Sequence, residues 1–309
     1  MKRAVHRYFG LLLSLAPLAV QAQPTPGSPP YTPATPQRSQ SEPRLRDEDW
    51  PKPATVPAPS QRVRSGSLPP VQTVPVLATG PLEVEINSIG DAVYVERGTA
   101  EYLATYRGPR LLSIQGVETL LRFSHAEGTD SSDWTISLSP VAPTVFRIEC
   151  NQGKAAFDFT EMPVRSASVV GQNAEIEMTF RRPNTISLDR FDAAILGGKF
   201  VLGGICNANP RQVTLNLSNA ECKLDFTGEV FAGEAEVLLD GQPKSLDITL
   251  PRAAGLWVEG SPRTLSYFDS MNLVRRRVGD GFALVSAGYE TGACRLRLRF
   301  AQEMTPTLK

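Results

Sequence analysis

From Leu82 onward the chain alternates apolar and polar residues with a period of two. Leu82, Val84 and Ile86 interleave with Glu83, Glu85 and Asn87, and the run Ala92-Val93-Tyr94-Val95 follows a Gly90-Asp91 turn. The pattern returns in Thr135 to Leu138, Phe146 to Cys150, Ile176 to Phe180, Val213 to Leu217, Cys222 to Phe226, Val237 to Leu239, Leu246 to Leu250 and Leu296 to Phe300. Successive side chains of a strand point to opposite faces, so each run predicts a short strand with one face dry. Gly, Asn and Pro between the runs supply the turns. The best helical candidate sets Val117, Leu120 and Leu121 on one face for about two turns, too short to hold without packing support. An all-β domain is expected over residues 81–303, with a flexible tail at 304–309.

The strands also repeat. Ala155-Ala156-Phe157-Asp158-Phe159 resembles Glu175-Ile176-Glu177-Met178-Thr179-Phe180, and after similar intervals come Lys199-Phe200-Val201-Leu202 and Glu221-Cys222-Lys223-Leu224-Asp225-Phe226. Small-residue turns precede them: Asn151-Gln152-Gly153, Gly171-Gln172-Asn173, Gly197-Gly198 and Ser218-Asn219-Ala220. A period of roughly 20–24 residues predicts stacked rungs whose inward faces share one core. A β-sandwich with evenly spaced hairpins is the competing reading.

Three of these features carry a family resemblance: Asn219 to Phe226, then Gly233-Glu234-Ala235-Glu236-Val237, then Leu246 to Pro251. Together they resemble the serial strands of bacterial toast-rack domains and the C-terminal part of LiaF-like envelope proteins. The end of the chain is compatible, with Leu256 to Gly260, a Gly279-Asp280-Gly281 turn, Ser286 to Glu290 and Arg295 to Phe300. The resemblance spans roughly 82–303 and implies a stacked-strand, β-solenoid-like fold placed outside the cytoplasm. It implies no catalytic residues. The chain departs from the pattern in its cysteines, its sparser turn glycines and its lack of N-terminal membrane helices, which weakens transfer of a LiaF-like regulatory role.

The N-terminus changes the picture from fold to address. Lys2, Arg3 and Arg7 precede an apolar stretch from Phe9 to Val20, and Val20-Gln21-Ala22 places small residues where a signal peptidase reads them. Residues 1–22 therefore read as a secretory signal cleaved after Ala22. The alternative is a retained anchor, but an apolar core of about 12 residues is short against the roughly 20 a bilayer needs. No later segment is apolar long enough to span a membrane as a helix. Residues 23–80 hold 14 of the 26 prolines with much Ser, Thr, Gln and Ala. Such a composition buries too little apolar surface to offset ordering, so this stretch reads as a disordered proline-rich linker with a reach of up to about 180 Å.

Charge and candidate chemistry narrow the function classes. The chain carries 32 Lys+Arg and 32 Asp+Glu. Nine of the cations but only four of the acids lie before residue 81, so the domain is net acidic and not a general nucleic-acid binder. Of two histidines, His6 leaves with the signal and His125 reads as a solvated loop residue. No Gly-x-Ser-x-Gly, phosphate loop or His-Glu-x-x-His occurs. Asp269 and Asp280, with Trp257, Tyr267 and Tyr289 nearby in sequence, are the remaining route to sugar-cleaving chemistry. Solvated turn acids are the blander account. Cys150, Cys222 and Cys294 share the inward parity of their strands, whereas Cys206 is turn-like. Outside the cytoplasm four cysteines permit two disulfides in three connectivities, and inward cysteines can equally serve as small core hydrophobes. Cys206–Cys222 is the candidate bridge, and without Cys-x-x-Cys no zinc site or other cofactor is expected.

The charge pattern above noise is basic. Arg275, Arg276 and Arg277 sit in one hairpin region, and Arg295, Arg297 and Arg299 point one way on the last strand. If the two segments pair, their guanidinium groups form a stripe for sulfate, phosphate or carboxylate groups of an envelope polymer. Edge-strand protection by cations is the structural alternative. The expected function is a non-enzymatic, exported module contacting an envelope polymer or envelope protein at the periplasm or cell surface. An envelope-stress regulator acting by protein contact and a carbohydrate-active enzyme are the alternatives. N-terminal sequencing of the mature chain is expected to begin at Gln23; a chain that retains Met1 in the membrane fraction points to an anchor instead.

Overall fold

The computed structural model describes residues 71–75, 81–108, 120–124, 133–228, 233–252, 254–292 and 294–309. The chain divides into two units, Met1–Arg64 and Ser65–Lys309, and every described residue belongs to the second. The signal, most of the linker, Val117 and His125 lie outside the described residues.

In chain order, β1 (Gln72–Pro75), β2 (Leu82–Ile89), β3 (Ala92–Arg97), β4 (Tyr102–Arg107), β5 (Leu120–Ser124) and β6 (Asp133–Leu138) come first. Next are β7 (Thr144–Asn151), β8 (Lys154–Asp158), β9 (Val164–Thr179), β10 (Leu188–Gly203), β11 (Pro210–Ser218) and β12 (Glu221–Asp225). Then follow β13 (Gly233–Asp240), β14 (Ser245–Thr249), β15 (Gly255–Glu259), the helix α1 (Pro262–Ser266), β16 (Val274–Val278), β17 (Gly281–Val285), β18 (Cys294–Phe300) and β19 (Pro306–Leu308).

These strands build two parallel walls around one core. The first wall runs β5, β2, β7, the first halves of β9 and β10, β11, β13, β18 and β15. The second runs β6, β3, β8, the second halves of β9 and β10, β12, β14 and β19. Each rung thus gives one strand to each wall, and β9 and β10 turn the corner without a break. Among the described residues antiparallel pairing occurs only at the ends, as β1–β4–β6 on the second wall and β15–β17–β16 on the first. This is the stacked-strand, β-solenoid-like fold expected from the repeats, and it excludes the sandwich.

The repeat length can be read from the register. On the first wall Phe146, Ala167, Phe191, Val213 and Val237 pair in turn, steps of 21, 24, 22 and 24 residues. On the second wall Ala155, Ile176, Phe200, Cys222 and Leu246 pair with the same four steps. Equal steps keep both walls in register, so inward residues line up in columns. Phe159, Phe180 and Phe226 follow the second-wall strands at matching positions, and all three are fully buried. The Phe159 ring lies 4.8 Å from Phe146 and 5.2 Å from Phe180 by centroid, within favourable aromatic range. The column skips at Gly204, where a 3-10 turn over Ile205–Ala208 intervenes and the Asn207 amide donates to the Phe180 carbonyl at 2.7 Å.

Corner residues repeat as well. Gly90, Gln152, Asn173, Gly197 and Asn219 all have positive φ, at the position where each rung passes between walls. Beside them Gly198 has φ 76°, and a Cβ there would meet the Ala174 carbonyl oxygen at 2.1 Å. Only glycine allows the rungs to close at that corner.

Several elements differ from the sequence reading. Gln72–Pro75, inside the stretch read as linker, is a strand on β4, and Pro306–Leu308, read as a tail, pairs with β14. Leu120 and Leu121 belong to β5 rather than to a helix. The helix that forms is α1, where Ser261 caps the first turn by accepting from the Thr264 amide at 3.2 Å and Pro262 stands at its start. It brings Leu265 and Phe268 over the core, the latter 5.9 Å from Phe300.

Deleting the Phe159 ring leaves a cavity bounded by Phe146, Phe157 and Phe180. The Phe159→Ala variant is expected to lose about 3–5 kcal/mol of unfolding free energy, read from denaturant midpoints. A loss below about 1 kcal/mol would show that the column is not a packed core.

Candidate functional site

The six arginines singled out in the sequence do not form one stripe. Across the first wall the strand order is β13, β18, β15, β17, β16, so β15 and β17 separate the two arginine segments. The chain reaches β15 and the β16–β17 hairpin before it lays β18 down beside β13, and these strands occupy the intervening places. The outward parity of Arg295, Arg297 and Arg299 is as expected, alternating with buried Cys294, Leu296, Leu298 and Phe300.

Each β18 arginine meets a carboxylate from a flanking strand. Arg295 lies 3.6 Å from Glu234, Arg297 donates to Glu259 at 2.5 Å, and Arg299 reaches Glu236 at 2.9 Å and Glu259 at 3.2 Å. These glutamates were not singled out in the sequence. Their signal is present as outward parity in Gly233-Glu234-Ala235-Glu236 and at Glu259, but it acquires meaning only when β18 is known to lie between β13 and β15.

The centre of the cluster is aromatic. Trp257 pairs across β15 with Arg297 on one side and with Val285 on the other. The Arg297 and Arg276 guanidinium carbons lie 5.4 Å and 5.8 Å from its ring centroid, in cation–π range. Its indole N–H donates to Glu259 at 2.6 Å, and Tyr289 stacks at a tilt 5.3 Å away. Tyr289 donates to Glu234 at 3.0 Å, and Arg276 meets Glu290 at 2.5 Å. The 286–292 turn can roof the wall because residue 255 is glycine: a Cβ there would lie 2.5 Å from the Tyr289 Cα. Beneath it Ala283, Val285 and Tyr289 form a small dry cluster with Trp257 and Val278 packed against it.

The electrostatics follow from this packing. Burial alone would raise the Glu259 carboxyl, but hydrogen bonds from Arg297 and Trp257 and the charges of Arg297 and Arg299 outweigh it and hold it below the ordinary value. The hydrogen bond to Glu259 raises Arg297 in turn. Burial, then the bond to Glu234, pushes Tyr289 up to about 12. The cluster is a closed lattice of matched charges around two aromatic rings, held in place from four strands.

The remaining candidates stand apart. Cys206 and Cys222 are buried thiols, not a bridged pair. Cys222 lies on β12 in register with Phe200 of β10, whereas Cys206 lies past the end of β10 in the 3-10 turn over Ile205–Ala208. Burial pushes both thiols up to about 12, which leaves them protonated and unreactive. Asp269 opens a 3-10 turn over Asp269–Met271, while Asp280 sits at the tip of the β16–β17 hairpin, so the two acids stand on separate turns.

No family model and no curated protein matches this chain, so the toast-rack likeness remains a resemblance. A similar solved structure is that of a "putative cell adhesion protein" from Clostridium sporogenes, with 10% identity and a TM-score of 0.33, covering 78% of this chain and 98% of that one. A likeness of that strength transfers nothing about activity or partner.

The Glu259 lattice makes stability depend on acid. A carboxyl held below its unfolded value of about 4.3 stabilises the fold fully above that range, and the contribution disappears as pH falls through the lower folded value. The stability gap between the native chain and Glu259→Gln is expected to be constant above about pH 5.5 and to shrink below about pH 4. A gap that stays level in acid would mean that shape, not charge, is what Glu259 contributes.

Proposed function

We propose that the chain is a non-enzymatic contact module, exported and carried on a proline-rich tether, whose β domain engages an envelope polymer or an envelope protein. The observation that carries this reading is the ordering of outward side chains. Successive rungs set their outward positions in rows about 4.8 Å apart on two walls, while the inward positions close into a continuous dry core. One outward row, Lys154, Glu175, Lys199 and Glu221, alternates in sign from rung to rung. A fold of this kind is a display of side chains held at fixed spacing, which suits recognition of a repetitive or extended partner. The export signal and the linker's composition give the display a reason to be held away from its point of attachment. Among the described residues no helix is long and apolar enough to cross a membrane.

The test combines location with chemistry. Cell fractionation is expected to place a processed chain outside the cytoplasm, and the purified chain is expected to be retained on isolated envelope material without releasing new reducing ends. An unprocessed cytosolic chain overturns the contact reading, and reducing ends that accumulate with time establish a carbohydrate-active enzyme in its place.

A further inference from the structure

The first wall ends in an open edge. β16 pairs with β17 alone among the described residues, and four of its five residues, Val274 to Arg277, are exposed. Its register puts Arg275 and Arg277 on the face of Phe282 and Leu284, and Val274 and Arg276 on the opposite face. Val274 is 66% exposed and Phe282 47%. Arg275 lies over the Phe282 ring at 5.7 Å, and neither it nor Arg277 has a carboxylate partner among the described residues, whereas Arg276 is held by Glu290. This differs from β18, where every arginine is matched.

The second wall ends differently. Its last strand, β19, has three residues and opens with Pro306, which has no N–H to offer. Short edges and proline are the usual ways a sheet avoids further pairing. On β16 the edge left unpaired by the described residues is five residues long and free of proline. Cations on such an edge do two things at once. They oppose pairing with a second copy of the same strand, because antiparallel self-pairing about Arg276 sets Arg275 opposite Arg277 twice, and like charges directly opposite are destabilising. They also leave the backbone open to a strand of opposite charge.

We propose that the β16 edge docks an extended acidic segment of a partner protein, which adds to the first wall as one more strand. Backbone pairing with β16 supplies affinity and charge supplies selection. The alternation of β16 specifies the pattern: two acids separated by one residue opposite Arg275 and Arg277, and an apolar residue beside the pair to cover Val274. The proposal rests on the contact reading above and adds the chemistry of the partner.

The probe is a fluorescent peptide, acetyl-Thr-Val-Asp-Thr-Asp-Val-Thr-amide, whose symmetry allows it to lie in either direction. Its anisotropy is followed on titration with the chain purified from whole cells, so the site is tested whether or not export occurs. At about 50 mM salt, where surface charges are weakly screened, saturable binding is expected. Binding is expected to weaken about tenfold or more in the Arg275→Glu, Arg277→Glu variant and to stay within about threefold in the double Lys variant, which keeps the charge. The same peptide N-methylated through its central residues keeps its acids but cannot pair as a strand, and is expected to bind about tenfold more weakly or worse. The absence of saturable binding, indifference to charge reversal, or equal binding of the methylated peptide each overturns the proposal; the last would mean simple anion attraction. The methylation comparison uses only the native chain and does not depend on any variant folding.

Discussion

A parallel hydrogen-bond ladder tolerates no drift between its two walls. Each rung crosses from one wall to the other through a corner, so a residue gained on one side without the other would turn every later side chain inside out. Here the steps between rungs are the same on both walls, 21, 24, 22 and 24 residues, although they differ from rung to rung. The first corner takes none of this variation, which is absorbed in the return from second wall to first and, at β9, in a register shift at Arg165 near the start of the strand. That return is where the 3-10 turn over Ile205–Ala208 lies. The stacked phenylalanines, the left-handed corner residues and the outward rows are consequences of this one requirement.

The outward rows show how such a stack handles charge. Side chains on neighbouring rungs are close enough for like charges to repel, and the wall answers with alternation, as in Lys154 against Glu175 at 2.7 Å. Individually these exposed pairs contribute little. The Trp257 cluster is the denser case, because one carboxylate, Glu259, serves two arginines and an indole in a half-buried place. It ties β13, β18, β15 and the roofing turn together where the parallel stack gives way to an antiparallel hairpin, and in doing so consumes the positive charge that the sequence displays so openly on β18. What remains unconsumed lies at the rim, on β16.

Much of the stack was legible in the chain itself. The alignment of Lys154, Glu175, Lys199 and Glu221 is visible as repeated strand beginnings, and the turns before them fall at the structural corner. Parity alone placed Cys150, Cys222 and Cys294 inside. The ends were not legible. Val84 pairs with Phe146 and Val237 with Leu298, partners about sixty residues apart, with β4 to β6 or β15 to β17 lying between them in the chain. No local pattern announces that a strand will skip its neighbour in sequence. The expected joint arginine stripe failed for this reason: it assumed that β16 and β18 meet because they are close in sequence. The short strands β1 and β19 were missed because three or four residues carry no usable period.

The placement of β18 between β13 and β15 bears on how the molecule is made. On a ribosome β13 and β15 emerge first, and the lane between them stands vacant until residues 294–300 arrive. Both bordering strands then hold unpaired backbone beside an incomplete core, the condition in which nascent β proteins mispair. β18 completes the wall by insertion between two strands that precede it in the chain, and β15, which carries Trp257, joins β13 through it. The closure of this wall therefore waits on residues 294–300 rather than on the strands that border them, and a chaperone that shields the vacant lane would have most to do in that interval.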